Sequence, residues 1–407
     1  MNEESKRMEE ALIKKCNRIK PIDILVGILC KDVESTILHV LNVVNEGLYA
    51  FFPEYRKAIA VSIGPSTDRT FELAELFQPY NTISKIVTHD IGGRGKGSGI
   101  RTILKAAKYL DAKCVILVDG DLLSIRPKWI ESIAGPILYG RADLTVPFYI
   151  RDKYDAVITN HLAYPFTRAL YSVDIRQPIA GEFGLSKNLY EILLRHPLFP
   201  NDFGIDIFIV TVAAAEGLSI RESLYTLKIH ESTTRYLEPE KGLIPMFRQV
   251  TGKMFELAKY YENVWKSRER FKRRSSYRES FVQKPIPVKI NIDGLEIEFK
   301  KGFNSMKKVI KRFLQPDVFS KLERTINGSI DAEIWAEIVY NFASAYKSLD
   351  KDVDRYVLLE GLKPLWIGRF VSYAKEVKDM DINEAEKVIQ RQAEIFEDKF
   401  DYFVSIY

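Results

Sequence analysis

Residues 115–129 read VILVDGDLLSIRPKW, and the fold follows from them. Val115 to Val118 are four consecutive apolar residues. A short run of this kind suits a strand buried on both faces, as in a central parallel sheet. The chain then turns acidic at Asp119, Gly120 and Asp121. Two carboxylates at i and i+2, spaced by glycine at a strand end, can meet one hard cation. Mg²⁺ or Mn²⁺ prefers oxygen ligands and keeps positions open for phosphate oxygens. In open α/β sheets, ligands bind at the carboxyl ends of the strands. Pro127 and Trp129 open a helix that leads away. The chain has two more Asp-x-Asp pairs, Asp352/Asp354 and Asp379/Asp381, both in polar sequence. A solvated turn explains those two, and the apolar strand in front of Asp119 sets the first pair apart.

Upstream, the pattern is β-α-β-α-β-loop-α-β. Ile24 to Leu29, Ala58 to Ile63 and Ile83 to Thr88 read as strands, with helical spacing over Glu34 to Asn45 and Phe71 to Phe77. This order predicts an α/β doubly wound, mostly parallel sheet. GPSTDRT, Gly64 to Thr70, is a turn in which Ser66, Thr67 or Asp68 can cap the next helix, whose free N–H groups suit an anion. IGGRGKGSGIRT, Ile91 to Thr102, has glycines at 92, 93, 95, 97 and 99 among Arg94, Lys96 and Arg101. Glycine backbone around Gly95 and Gly97 can approach a diphosphate closely, and Lys96 can neutralise it. The Walker pattern GxxxxGK[ST] is not met, and a flexible surface loop is the plainer alternative.

Downstream, Asp143 to Tyr149 reads as a strand with Arg151 past its end. Asp155 to Tyr171 reads as helical and offers Thr159, Asn160 and Arg168 to a ligand. Pro178 and Gly181 break the chain around Glu182. Asp206 falls in the first turn of an apolar helix, where its charge suits the dipole. Ser219 to Ile229 reads as a strand or arm delivering His230. A lone histidine is commonly structural, but a metal already held by carboxylate would accept an imidazole.

Bulk properties narrow the function classes. The chain has 407 residues, too many for one ordinary core, so at least two domains are expected. Sixty basic residues against 55 acidic ones give +5, a mild attraction for anions and no nucleic-acid signature. The basic stretch KSRERFKRRSS carries one aromatic, Phe271, which does not make a stacking groove. Three unpatterned cysteines imply no disulfide framework and no zinc site, and point to a reducing cytoplasm. The charged start NEESKRMEE is not a signal peptide, and no apolar run reaches the roughly 18–20 residues of a membrane span. The expected divisions are an N-terminal helix over 1–20, a catalytic domain over 21–260 and a mainly helical domain over 261–407. The last includes a short β-hairpin at Asp293-Gly294 within Val288 to Phe299. Gly361 and Pro364 are expected to break its helices.

Taken together and in order, GKGSGIRT, VDGDLLSIRPKWI, FYIRDKYDAVIT, QPIAGE, FGID and the later His230 resemble the GT-A nucleotide-sugar glycosyltransferases. Among these they resemble the glucosyl-3-phosphoglycerate synthase and mannosylglycerate synthase group. The resemblance covers roughly residues 22–260, and LWIGRFVSYAKEV (Leu365 to Val377) is similar to the helical end of the mannosylglycerate enzyme. It implies a GT-A fold, a Mg²⁺ or Mn²⁺ cofactor and transfer of glucose or mannose with retention to 3-phosphoglycerate or D-glycerate.

It also implies roles for individual residues. Asp121 and His230 hold the metal, with Asp119 beside the ribose and metal. Lys96, with Gly95, Gly97, Ser66 and Gly120, meets the donor. Arg151, Thr159 and Asn160 meet the acceptor. Glu182 and Asp206 lie near the transferred sugar. Ile63 stands where the family's base-facing acid is usual, which leaves the base (GDP or UDP) open. Ala180-Gly181 is closer to the phosphoglycerate enzymes. The partners so implied are the sugar nucleotide and a small anionic acceptor, with no nucleic acid and no membrane, in a homo-oligomer. Competing readings are a polysaccharide synthase, disfavoured by the missing QxxRW motif and membrane helices, and a nucleotide-sugar-binding protein without turnover.

Overall fold

The computed structural model describes residues 3–19, 21–231, 242–267, 283–325 and 329–407. The basic stretch near Phe271 and the polar loop after Glu231 lie outside the described residues.

Among the described residues, seven strands form one sheet in the order β3-β2-β1-β4-β6-β5-β7. They are β1 (Ile24–Cys30), β2 (Lys57–Ile63), β3 (Ile83–His89), β4 (Cys114–Asp119), β5 (Leu144–Ile150), β6 (Phe183–Ser186) and β7 (Ile220–Leu227). β1 pairs in parallel with β2 and β4, and β2 with β3. Val115 to Val118 are buried as the apolar run requires. α1 (Glu3–Cys16) precedes β1, and the helices between the strands are α2 (Ile37–Phe51), α3 (Thr70–Leu76), α4 (Lys96–Tyr109) and α5 (Pro127–Leu138). Pro127 stands at the start of α5, where its missing N–H costs nothing.

β6 is the strand that sequence periodicity misses. FGLS is too short and too rich in small residues to alternate. It runs antiparallel to both β4 and β5, so the sheet is mostly parallel with an antiparallel insertion. Leu117 pairs with Phe183, which brings Glu182 alongside the acidic end of β4.

The chain divides into two compact units, residues 1–149 with 179–243 and residues 150–178 with 244–407. This differs from the expected division at 260/261. The physical reason lies in residues 150–178, a π-helical turn (Thr159–Ala163) and α6 (Tyr164–Tyr171). Their charged side chains find partners on later helices. Arg176 meets Glu386 at 2.8 Å and Arg168 meets Glu397 at 2.9 Å. Gln392 donates to the Asn160 carbonyl at 2.8 Å, and Lys153 caps the carbonyls of Val377, Lys378 and Met380.

The first unit continues with α7 (Lys187–Arg195) and α8 (Ile205–Ala215). The second is otherwise helical: α9 (Leu243–Tyr260), α10 (Glu262–Ser267), α11 (Ile292–Phe313), α12 (Pro316–Thr325), α13 (Ala332–Lys347), α14 (Asp352–Glu376), α15 (Ile382–Asp398) and α16 (Phe400–Ile406). Two expectations are corrected there. The Asp293-Gly294 pair is not a hairpin turn: Asn291 caps α11 by accepting from the Gly294 N–H at 3.0 Å, so the pair forms the helix's first turn. Gly361 and Pro364 do not break the helix, which runs unbroken through both as α14. Neighbouring packing outweighs their poor propensity; Phe299 and Phe303 of α11 and Leu362, Leu365 and Trp366 of α14 are all buried.

Among the described residues no helix is long and apolar enough to cross a membrane.

Candidate functional site

The site is built at the carboxyl edge of the sheet in the first unit. After β4 the chain turns through Asp121 to Ser124. After β7 it comes back antiparallel to that turn. The N–H groups of Leu123 and Ser124 donate to the Ile229 carbonyl at 2.9 and 3.2 Å, and Glu231 N–H donates to the Asp121 carbonyl at 3.0 Å. Leu122 and His230 form an antiparallel bridge. This backbone ladder places His230 Nδ1 3.7 Å from Asp121 Oδ2. The gap is too long for a hydrogen bond. It is short enough for both atoms to reach one ion at ligand distances of about 2.0–2.2 Å. Among the described residues no group of three or more His, Cys, Asp or Glu is set to hold a metal. A two-ligand site fits a cation that takes its other ligands from a diphosphate and water.

Asp119 faces the other way, into two lysines. Lys96 Nζ lies 3.2 Å from its Oδ1, and Lys228 Nζ lies 3.4 Å from its Oδ2. Burial opposes the Asp119 charge, but these two ammonium groups hold its carboxyl below the usual range. Lys96 is the first residue of α4 and also meets Asp206 Oδ2 at 3.2 Å. Burial works against its charge, yet Asp119, Asp206 and Glu182 hold it well above the usual lysine range. Asp206 sits in the first turn of α8. Burial pushes its carboxyl up, with Lys96 opposing. Its Oδ1 is buried without a hydrogen-bond partner among the described residues.

Glu182 is fully buried. Lys228 Nζ donates to its two oxygens at 2.9 and 2.8 Å and to the Ala180 carbonyl at 3.0 Å. Tyr149 Oη donates to Oε2 at 2.6 Å. Burial, aided by Asp119 and opposed by Lys228, pushes the Glu182 carboxyl up to about 7. Two ammonium groups thus face three carboxyls, Asp119, Asp206 and Glu182, with Asp121 beside His230, and such a set of carboxylates favours a divalent cation nearby.

The sequence-based residues divide in where they fall. Lys96, Asp119, Glu182 and Asp206 come together, and Asp121 meets His230. The glycines have packing reasons as well. A Cβ at Gly95 would stand 2.5 Å from the Asn201 carbonyl, and one at Gly97 would stand 2.2 Å from the Pro200 carbonyl. Gly120 N–H donates to the Leu29 carbonyl, and its own carbonyl accepts from Thr36 Oγ1, each at 2.8 Å. Ser66 Oγ accepts from the Asp32 N–H at 3.0 Å and ties two loops. Arg151, Thr159 and Asn160 belong to the second unit. Arg151 pairs with Asp155 at 3.0 Å; Thr159 and Asn160 are buried, with Arg176 donating to Asn160 Oδ1 at 2.8 Å. Lys228 and Tyr149 were missed. Lys228 stands two residues before His230, and that spacing was the available signal. Tyr149 ends an apolar run and carries none.

A basic and acidic cluster at a sheet edge, beside an Asp–His pair, suits an anionic ligand together with a cation. Residues 26–184 match the family model described as glycosyl transferase family 2. The glycosyl transferase match takes in β1 through the start of β6, and with it Lys96, Asp119, Asp121, Tyr149 and Glu182. Together with the observed sheet it bears out the expected doubly wound, mostly parallel α/β fold; Asp206, Lys228 and His230 lie beyond the matched stretch. No curated protein matches this chain.

Solved structures that the chain resembles include three of glucosyl-3-phosphoglycerate synthase from Mycobacterium tuberculosis. The complex with Mn²⁺, UDP and glucosyl-3-phosphoglycerate is 22% identical, covering 61% of this chain and 83% of that one, with a TM-score of 0.47. The complex with Mg²⁺ and UDP is 21% identical, with coverage of 61% and 83% and a TM-score of 0.46. The complex with Mn²⁺, UDP-glucose and phosphoglyceric acid is 21% identical, with coverage of 61% and 83% and a TM-score of 0.45.

Proposed function

We propose that this chain is a cytoplasmic, metal-dependent hexosyltransferase. It moves glucose or mannose from a nucleoside-diphosphate sugar to 3-phosphoglycerate or D-glycerate, with retention at the anomeric carbon. The observation that carries the reading is the Asp121–His230 pair beside the Lys96–Asp119–Lys228 cluster. Asp121 and His230 would hold Mg²⁺ or Mn²⁺, which supplies charge neutralisation for a departing diphosphate.

The chain's own residues do the rest. Lys96 and Lys228, already charged and largely buried, exchange carboxylate partners for phosphate oxygens without leaving their positions, so little reorganisation is needed. Asp206 Oδ1 and the Glu182 carboxylate face the sugar and support the positive charge that develops at its anomeric carbon. No protein nucleophile is assigned; the departing phosphate takes the acceptor's hydroxyl proton. Arg151 is assigned to the acceptor's carboxylate, a planar group that a guanidinium binds bidentately, with Thr159 and Asn160 as its neighbours.

The test is a donor-by-acceptor matrix. GDP- and UDP-linked glucose and mannose are set against D-glycerate, 3-phosphoglycerate and a glucan acceptor, each with Mg²⁺ and with Mn²⁺, reading nucleoside diphosphate and glycosylated product. Transfer to a three-carbon acid supports the proposal. Transfer only to the glucan replaces the acceptor, and nucleotide binding with no product in any combination removes the enzyme reading. Arg151→Ala is expected to raise the three-carbon acceptor's KM and leave the donor's nearly unchanged; an equal effect on both would remove Arg151 from the acceptor.

A further inference from the structure

Charge is spread unevenly along this chain. Residues 261–312 hold 15 basic and 6 acidic residues, a net +9, against +5 for all 407 residues. α11 closes that stretch. Its Phe299, Phe303, Ile310 and Phe313 are buried. At about 3.6 residues per turn, the opposite face carries Ile297, Lys301, Asn304, Lys308, Lys311 and Arg312, all exposed. From Phe299 to Phe313 the helix has no acid. Lys300 and Lys307, at the margin of this face, meet Glu296 at 2.8 Å and Glu323 at 2.6 Å. Lys301, Lys308, Lys311 and Arg312 pair with no carboxylate among the described residues. Like charges three and four residues apart on one helix repel, a cost that an anionic partner would offset.

The geometry of the face says which partner. Ile297, Lys301, Asn304, Lys308 and Lys311 recur at alternating steps of four and three, so they line up along the helix axis. One plane can touch them all over about 21 Å, at ~1.5 Å per residue. Lysine ammonium groups are point charges on flexible stems and suit a diffuse negative field. Ile297 is 69% exposed. An apolar side chain beside a row of cations is what a lipid interface takes up, and a nucleic-acid backbone gives it no contact. The face also has no aromatic ring on which a base could stack. At its far end Arg312 lines a cleft of about 340 Å³ with Gln315, Ser344 and Ser348, groups that suit a phosphate-bearing headgroup.

We propose that α11 docks the helical unit on an anionic lipid surface. Its four unpaired cations lie over the headgroups, and Ile297 reaches the boundary with the acyl chains. The helix lies flat on the surface and spans nothing. Docking of this kind adds a membrane to the partners that the resemblance implied, and it does not depend on glycosyl transfer. Each Lys or Arg near such a surface contributes roughly 5-fold in affinity, so the four together contribute on the order of 500-fold.

Vesicle flotation of the whole chain tests it. The probes are vesicles of phosphatidylcholine alone and of phosphatidylcholine with about one-third phosphatidylserine, each at about 0.1 M and about 1 M salt, where charges are screened over about 10 Å and 3 Å. Wild type is expected to float with the phosphatidylserine vesicles at the lower salt, to be released at the higher, and to leave the neutral vesicles unbound. Lys301→Ala, Lys308→Ala, Lys311→Ala and Arg312→Ala combined are expected to weaken binding about 100-fold or more with an unchanged melting curve, since all four side chains are exposed. Lys308→Glu alone, a single reversal, is expected to weaken it about 10-fold or more. Three results overturn the proposal: no flotation with the anionic vesicles, equal flotation with the neutral ones, or wild-type flotation by both variants. Tighter binding of duplex DNA or RNA than of the anionic vesicles replaces the lipid with nucleic acid and overturns it as well.

Discussion

His230 Nδ1 lies 3.7 Å from Asp121 Oδ2, although one follows β4 and the other follows β7. The contact is secured by backbone: the Leu122–His230 bridge and the Glu231 N–H bond to the Asp121 carbonyl hold the two segments together. Backbone pairing thus brings the imidazole beside the carboxylate.

Asp121→Ala and His230→Ala each remove one of the two side chains proposed to hold the cation. Turnover with Mn²⁺ is expected to fall about 100-fold or more in Asp121→Ala, close to 3 kcal/mol of transition-state stabilisation. Melting temperatures without metal should change little, because the backbone ladder remains. Steady-state rates against Mn²⁺ concentration check this; a variant saturating at wild-type rate and metal concentration removes Asp121 from the metal.

Lys228→Met tests the partner of Glu182. The folded-state pKa of Glu182 stands near 7 against 4.5 for the free side chain. The folded protein therefore holds this proton more tightly than the unfolded chain does. The stability so conferred is present at low pH and is lost as pH rises from about 4.5 to about 7. Removing the Lys228 ammonium raises that pKa further. The variant's deficit against wild type should then be smaller at pH 5, where only the contact with ionised Asp119 is lost, and grow toward about 3–5 kcal/mol at pH 8, where an uncompensated buried carboxylate remains. Urea midpoints at the two pH values check it, and a deficit independent of pH would contradict it.

Gly181 holds φ of +100°, and a Cβ there would stand 2.7 Å from Lys228 Nζ and 2.9 Å from Asp119 Oδ2. Gly181→Ala is expected to cost about 1–3 kcal/mol from backbone strain alone and to displace Lys228 from Asp119. Thermal denaturation reads the first effect and nucleoside-diphosphate affinity the second. Unchanged values of both would mean that the cluster tolerates the crowding.

Asp90 follows β3 and accepts from Ser62 Oγ at 2.6 Å, and Asp90→Asn gives a pH signature. The carboxyl, raised from 3.8 to about 6, favours the folded state at acid pH and loses that advantage between about pH 4 and 6. The amide does not titrate and still accepts from Ser62. Relative to wild type, the variant should gain up to about 2–3 kcal/mol of stability between pH 4 and pH 7. Parallel stability–pH curves would show that Asp90 is not titrating in that range.

Local sequence carried much of this architecture. The apolar run before Asp119, the interleaved strands and helices and the glycine-basic loop ending at Lys96 are short-range signals, and they report the parallel sheet and the edge where chemistry gathers. The hairpin expected at Asp293-Gly294 shows the limit of such signals. The same two residues serve a turn or a helix's first turn, and the cap from Asn291 with the burial of Phe299 and Phe303 chose the helix.

By itself, then, the amino-acid order determined which groups carry charge, where strands end in acids, and that a histidine follows a late strand. Only the tertiary structure decided that β6 inserts antiparallel and brings Glu182 beside Asp119, that Lys228 joins the two, that residues 150–178 pack with the helical unit, and that Asp90 is half-buried beside Ser62. Those outcomes depend on strand pairing and burial between segments far apart in the chain, and no local periodicity encodes them.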